Sequence, residues 1–378
     1  MNKILVVTSQ RITGLNYPRQ LVPFNNLEDV YDIVYVPSIS LSEIESGYAD
    51  SFAMVSFLRT ISTIGETEAI CKYLKGKGIK IHFDIDDYWV LPRTHLLYKN
   101  FTANKISEQT IEALKNADFV TTTTPHLAKT IKQHNENVYV LPNAIDTKAE
   151  QWQSVDIPSE RTRFGYIAGV HHVKDVELLK VCIDKLYKNC KDFQLLPAGF
   201  NLNKIDDKLF MNQYYAYVEG IFTNGYKNLK NKEYVEYLRA YNPNDNDKWD
   251  EPYKRLWGLD TFNYGKLYNF IDVSLVPLHP TVFSSNKSEL KLIEAGFMKK
   301  AVIVQDCAPY DLLATDKNTI KIKTTRNEWD WYVEMKKLIG DKEMIKDLGE
   351  ALYESVKYKY DIKNVNKERK QIIDKWLS

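Results

Sequence analysis

Four cysteines in 378 residues, Cys71, Cys182, Cys190 and Cys307, form no C-x-x-C pair. Zinc and disulfide frameworks need clustered thiols, so neither is signalled. No stretch approaches the ~18 uninterrupted apolar residues of a bilayer-spanning helix. The opening run Ile4–Thr8 is too short for a signal-peptide core. These absences predict a cytoplasmic protein, attached to a membrane at most peripherally. An excess of one charge is missing too, since 51 Lys and Arg face 50 Asp and Glu. Chains that live on a phosphate backbone usually carry a basic excess, which argues against nucleic acid as partner. The G-x-G-x-x-G dinucleotide fingerprint, the Walker lysine motif and the G-x-S-x-G elbow are all absent.

What is present is ordinary globular composition, 44% hydrophobic and 27% charged, in a chain long enough for two domains. Short apolar runs alternate with amphipathic stretches. Strands are predicted at Ile4–Thr8, Ile33–Val36, Ala53–Phe57, Ile79–Asp84, Phe119–Thr122 and Val138–Leu141, with helices at Gly65–Lys75 and Ser107–Asn116 among them. Nearly continuous apolar strands separated by helices mark a parallel sheet covered on both faces.

A polar linker, Asp146–Arg161, interrupts the pattern, which then restarts. Strands are predicted at Arg163–Ala168, Phe193–Pro197, Asp272–Pro277 and Ala301–Gln305, with an edge strand at Ile320–Lys323. A helix is expected over Asp175–Lys188, and charged helices over Met344–Trp376. The expected fold is therefore α/β, with two Rossmann-like domains whose parallel sheets face an interdomain cleft. The first domain spans 1–150, joined by a C-terminal helix over about 355–378, and the second spans 160–350. Both first turns, Ser9–Gly14 and Gly169–Lys174, should look into that cleft. Arg11 in the first turn reads equally as a phosphate contact or a solvated side chain. An insertion over about 201–265 is rich in aromatics: ten of the 25 tyrosines fall between Asn201 and Tyr268, with Trp249, Trp257 and the turn-rich Asn242–Asp247. It reads either as helices packing their tyrosines or as an aromatic platform for a sugar or lipid-linked acceptor.

The strongest chemical constellation runs from Phe283 to Gly296 (FSSNKSELKLIEAG). Ser284 or Ser285 is a natural N-cap for a helix reaching about Met298. Leu290, Ile293 and Phe297 would share its buried stripe, and Lys287, Lys291 and Glu294 a neighbouring polar face. Lys287 in the first turn, beside free backbone N–H groups, suits a phosphate. Glu294 lies seven residues on, roughly 10 Å along the axis, about the reach from a diphosphate to a ribose. The competing reading is a surface helix whose charges make ordinary i,i+3 and i,i+4 pairs.

This region, with Ile271–Leu278 before it and Ala301–Val304 and Pro309-Tyr310 after it, resembles the donor-binding region of GT-B glycosyltransferases, especially bacterial enzymes of surface-polysaccharide assembly. The related pattern has two glutamates eight positions apart. Glu294 matches the second, which contacts the ribose, whereas the first falls on Asn286, an amide that carries no charge. Phe164–Asp175 resembles the strand–turn–helix that opens the nucleotide domain, with Gly169 allowing close backbone approach and a His172-x-x-Asp175 spacing similar to the family's. Val140–Asp146 and Thr124–Ala128 resemble the segments that close the first domain.

The second cluster is His82-Phe83-Asp84-Ile85-Asp86-Asp87. Crowded carboxylates repel and raise one another's pKa. A D-x-D metal site, a phosphatase motif (which Tyr88 in the threonine position spoils) and simple solvated caps all compete. The resemblance adds a fourth reading, in which Asp84 or Asp87 orients or deprotonates the acceptor hydroxyl. Taken together, the resemblance implies a metal-independent glycosyltransferase without cofactor. Its donor is a UDP- or GDP-linked sugar and its acceptor a glycan or lipid-linked glycan. Asp84, Asp87 and Lys287 would be catalytic. Gly169, His172, Asn286, Lys287, Ser288 and Glu294 would bind the donor. A non-catalytic partner subunit and a sugar-nucleotide epimerase are the alternatives.

Overall fold

In the computed structural model the apolar runs pair as two separate six-stranded sheets. The structure describes residues 1–8, 12–62, 65–169, 172–200, 202–205, 208–211, 213–226, 251–323 and 329–378. Arg11 and the rest of Ser9–Arg11, Val170 and His171, Asn242–Asp247 and Trp249 lie outside the described residues.

The chain divides into two compact units. The first comprises Met1–Asp146, Thr281–Ser288 and Tyr358–Ser378, and the second Thr147–Pro280 and Glu289–Lys357. In the first unit the strands are β1 (Lys3–Val7), β2 (Asp32–Val36), β3 (Met54–Leu58), β4 (Lys80–Ile85), β5 (Phe119–Thr122) and β6 (Val138–Val140). Their order is β2-β1-β3-β4-β5-β6, with every pairing parallel. All four residues of β5 and five of the six in β4 are buried, as a sheet covered on both faces requires. The helix Ile362–Leu377 returns to this unit: Trp376 stacks on Phe119, Ile373 joins the core beside Ile4 and Met54, and Tyr31 donates to Asp374 at 2.7 Å.

The second unit contains β7 (Thr162–Ile167), β8 (Phe193–Phe200), a hairpin of β9 (Leu202–Ile205) and β10 (Lys208–Met211), then β11 (Leu256–Trp257), β12 (Val273–Val276), β13 (Ala301–Gln305) and β14 (Ile320–Ile322). Its large sheet has the order β11-β8-β7-β12-β13-β14, again all parallel, with β14 at an edge as expected.

Three expectations change. The Asp175–Lys188 helix is two, Val173–Glu177 and Lys180–Asn189. Three-residue turns tighten the chain between them, Leu178 N–H bonding to Asp175 and Leu179 N–H to Val176. The aromatic insertion opens with the β9–β10 hairpin and becomes helical only at Gln213–Phe222. The donor-region helix is broken into Val282–Ser285 and Leu290–Phe297. Its cap is Thr281, which exchanges a capping box with Ser284. The side chains that follow are engaged elsewhere: Asn286 donates to Val282 O at 2.7 Å and accepts from Thr130 at 3.1 Å, and Ser288 accepts from Asn143 at 3.0 Å. Short polar side chains that bond locally compete with a continuous helix. The same contacts place Thr281–Ser288 with the first unit instead of inside 160–350.

Candidate active site

In an open parallel sheet, ligands gather at the carboxyl ends of strands where the strand order reverses. In the first unit that point lies between β1 and β3, and a cavity of about 760 Å³ opens there. Thr8 ends β1, Ser38 follows β2, and Thr60, Ser62 and Glu66 follow β3 along its wall. Asn16 adds to the polar lining, donating to Thr8 at 3.1 Å while its carbonyl accepts from the Thr13 N–H at 2.7 Å. Hydroxyls and amides around a partly apolar hollow suit a polyhydroxyl ligand. The cavity was not anticipated, because its walls come from three separate loops.

The acidic run leaves β4 and divides. Asp84 is 1% exposed and carries a two-pronged contact from Arg19, at 2.8 Å from Nε and 2.7 Å from the terminal nitrogen. Thr121 donates to the same carboxylate, and Arg19 also reaches Leu141 O at 2.9 Å. Burial pushes the Asp84 carboxyl up, but the Arg19 charge and these hydrogen bonds outweigh it and hold the carboxyl below its ordinary value. Asp84 is thus a buried half of an ion pair and not the accessible acceptor group expected.

Asp86 and Asp87 share Arg59, whose backbone lies in the left-handed region at φ 61°. Burial first, and the neighbouring Asp87 charge in addition, raise the Asp86 carboxyl against the pull of Arg59. The Asp87 side chain keeps 30% exposure, with Arg59 at 2.8 Å on one oxygen and Lys287 Nζ at 3.8 Å on the other. Lys287 also sits over the Phe283 ring at 4.7 Å. Because the helix is broken, Lys287 lies in the turn between its halves and not in a first helical turn. Asn286, 6% exposed, and Ser288 hold that turn through the bonds to Thr130 and Asn143.

In the second unit the order reverses between β7 and β12. Gly169 follows β7, and a Cβ built on it would meet nothing within 4 Å, so its backbone stands open to a ligand. His172 comes next, its Nδ1 2.7 Å from Asp175. Asp175 also accepts the His279 backbone N–H at 2.8 Å, just beyond β12. Burial raises the Asp175 carboxyl, but the bond and charge of His172 prevail and lower it. An ionised carboxylate only accepts, so Nδ1 carries the proton and the ring orientation is fixed.

Glu294, expected on a polar face, is 5% exposed. Tyr268 donates to one of its oxygens at 2.9 Å and Tyr264 to the other. Burial pushes its pKa up to about 7, although both tyrosines and the Lys291 charge act to lower it. Two tyrosines of the aromatic-rich stretch thus serve this carboxylate. Tyr253, fully buried with its hydroxyl 2.8 Å from Glu219, serves the core. No group of three or more His, Cys, Asp or Glu side chains able to hold a metal ion is found among the described residues.

No family model matches the chain, and no curated sequence is similar to it. Solved structures, by contrast, are similar over almost its whole length. Sucrose-phosphate synthase from Thermosynechococcus elongatus is 12% identical at a TM-score of 0.71, with 99% of each chain covered. A glycosyltransferase from Rickettsia africae is 13% identical at 0.65, over 100% of this chain and 99% of that one. HepE of Anabaena, solved with UDP and glucose, is 12% identical at 0.62, with 99% of each chain covered. At this identity the likeness establishes architecture, and the chain has the two-domain α/β GT-B fold.

Proposed function

We propose that this protein is a glycosyltransferase that moves a sugar from a nucleoside diphosphate to a hydroxyl of a glycan or lipid-linked glycan. Bacterial surface-polysaccharide assembly is the proposed setting. The observation that carries the reading is the second unit's reversal point, where the open Gly169 backbone meets a histidine oriented by Asp175. That HepE was solved with UDP and with glucose supports a UDP-sugar as the first donor to try.

In the proposed reaction the acceptor oxygen attacks the anomeric carbon and the bond to the diphosphate breaks. The acceptor proton leaves, and negative charge collects on the diphosphate. His172 and Lys287 are assigned to that charge, which fixed donors stabilise far better than water can. Gly169, Asn286 and Ser288 are assigned to donor binding, and Glu294 to the ribose. Asp87 is assigned to the acceptor proton because its carboxylate is the exposed one of the pair Asp84 and Asp87. The hydroxyl-lined cavity beside β1 and β3 is the proposed acceptor site. No metal and no cofactor beyond the donor takes part in this scheme.

Titration calorimetry with UDP, GDP and their sugars, followed by donor turnover with and without acceptors, tests the reading. Lys287→Ala should lower transfer by about a hundredfold to a thousandfold, as loss of a charge-stabilising donor does, while EDTA leaves it intact. Transfer abolished by chelation and restored by Mn²⁺ would overturn the metal-free scheme. Donor conversion without acceptor would indicate an epimerase, and tight binding without turnover a partner subunit.

A further inference from the structure

From Tyr88 to Ser107 the chain has no acidic residue, although 50 of its 378 residues are Asp or Glu. The stretch does contain Arg93, Lys99 and Lys105, all exposed. None of the three has an ion-pair partner among the described residues. Some surface lysines elsewhere do meet carboxylates, as Lys77 does with Asp50 at 2.6 Å, Lys188 with Asp184 at 2.6 Å and Lys299 with Glu350 at 3.0 Å, which the lack of any acidic residue over 88–107 denies these three locally.

Large apolar side chains stand among these cations. Val90 is 45% exposed, Leu96 61% and Leu97 41%. The short helix Tyr98–Ala103 has no buried residue. The excursion is nevertheless ordered. Trp89, 4% exposed, anchors one end, and Ser107 closes the base by donating to the Trp89 carbonyl at 2.7 Å. Within it, backbone bonds from His95 to Pro92 and from Tyr98 to His95, both 2.9 Å, shape the turn that presents the leucines.

We propose that residues 90–106 form a docking surface for an anionic phospholipid bilayer. The charge pattern selects the occupant. Unpaired cations seek negative headgroups, while isolated exposed leucines gain by entering the boundary with the acyl chains. A bilayer satisfies both at once. The face of an acidic protein would neutralise the cations but would need a matching pocket for each leucine. No helix among the described residues is long and apolar enough to cross a membrane, so the attachment is peripheral and reversible. The proposal does not depend on the reaction assigned above.

Co-sedimentation of the full chain with vesicles tests it. The protein should pellet with vesicles containing about one-third phosphatidylglycerol, remain in solution with phosphatidylcholine alone, and be released by high salt. Leu96→Glu with Leu97→Glu, and separately Arg93→Glu with Lys99→Glu, should each weaken binding about tenfold or more. Both pairs lie on exposed positions, so circular dichroism and melting should match the wild type. The reversed-charge control Lys72→Glu should bind normally. Equal sedimentation with both lipids, none with either, or double variants that bind like the wild type would overturn the proposal.

Discussion

Asp84 and Asp87 lie three positions apart and predict opposite outcomes when changed. Removing the Asp84 carboxylate leaves the Arg19 guanidinium buried with its counter-charge gone, a change that costs about 3–5 kcal/mol. Asp84→Ala should therefore lower the urea midpoint sharply. Asp87 is exposed at 30% and shares Arg59 with Asp86, so Asp87→Asn should shift stability by less than about 1 kcal/mol and still abolish transfer. Denaturation and turnover measured on the same preparations separate the two. If Asp87→Asn unfolds as easily as Asp84→Ala, Asp87 is structural and the proposed acceptor chemistry fails. The three carboxylates could be read directly from the sequence. Their partners could not, because Arg19 and Arg59 lie 65 and 27 residues away from the aspartates they bind. Likewise nothing about Tyr264 or Tyr268 announced that their hydroxyls meet on Glu294.

Among the elements, the parallel strands other than the two-residue β11 are legible to within a residue or two at most ends, since burial on both faces writes an unbroken apolar run. Ala301–Gln305 and Phe119–Thr122 are found as expected. Helix continuity was harder to read. Ile293 and Phe297 are buried as expected, but Leu290 is only partly so and every residue from Leu292 to Phe297 is buried, while the turns before them dissolve into side-chain bonds to Thr130 and Asn143, more than 140 residues away. Gly296 illustrates a constraint of packing. A Cβ there would come within 2.8 Å of Val356 and 3.1 Å of Leu352, where the Leu290–Phe297 helix meets the Lys342–Val356 helix. Gly296→Val should destabilise the second unit by about 1–3 kcal/mol through overpacking. Thermal unfolding checks this, and an unchanged melting temperature would mean that the two helices separate without cost.

At the scale of the molecule one buried group in each unit, His82 in the first and Glu294 in the second, should respond to pH with opposite signs. Burial pushes the His82 pKa down to about 3 from 6.5, which keeps the ring neutral between Ser56 and Thr121. Its contribution to the first unit is complete above pH 6.5 and is lost as pH falls toward 3. Glu294 behaves in the reverse sense, because burial raises its pKa from 4.5 to about 7. Its contribution to the second unit is complete below pH 4.5 and is lost as pH rises to 7. Each is worth a few kcal/mol at most. Calorimetry between these limits should show the Glu294→Gln variant losing the decline in its second-unit transition as pH rises. A variant with the wild-type pH slope would remove Glu294 as its source. The route of the backbone has a consequence of another kind. The first unit is completed by the Ile362–Leu377 helix, after the whole of the second has intervened. During translation, six strands leave the ribosome well before Ile373 and Trp376 exist to cover Ile4 and Phe119. Until that helix emerges, the nascent chain offers an apolar sheet face to chaperones and proteases.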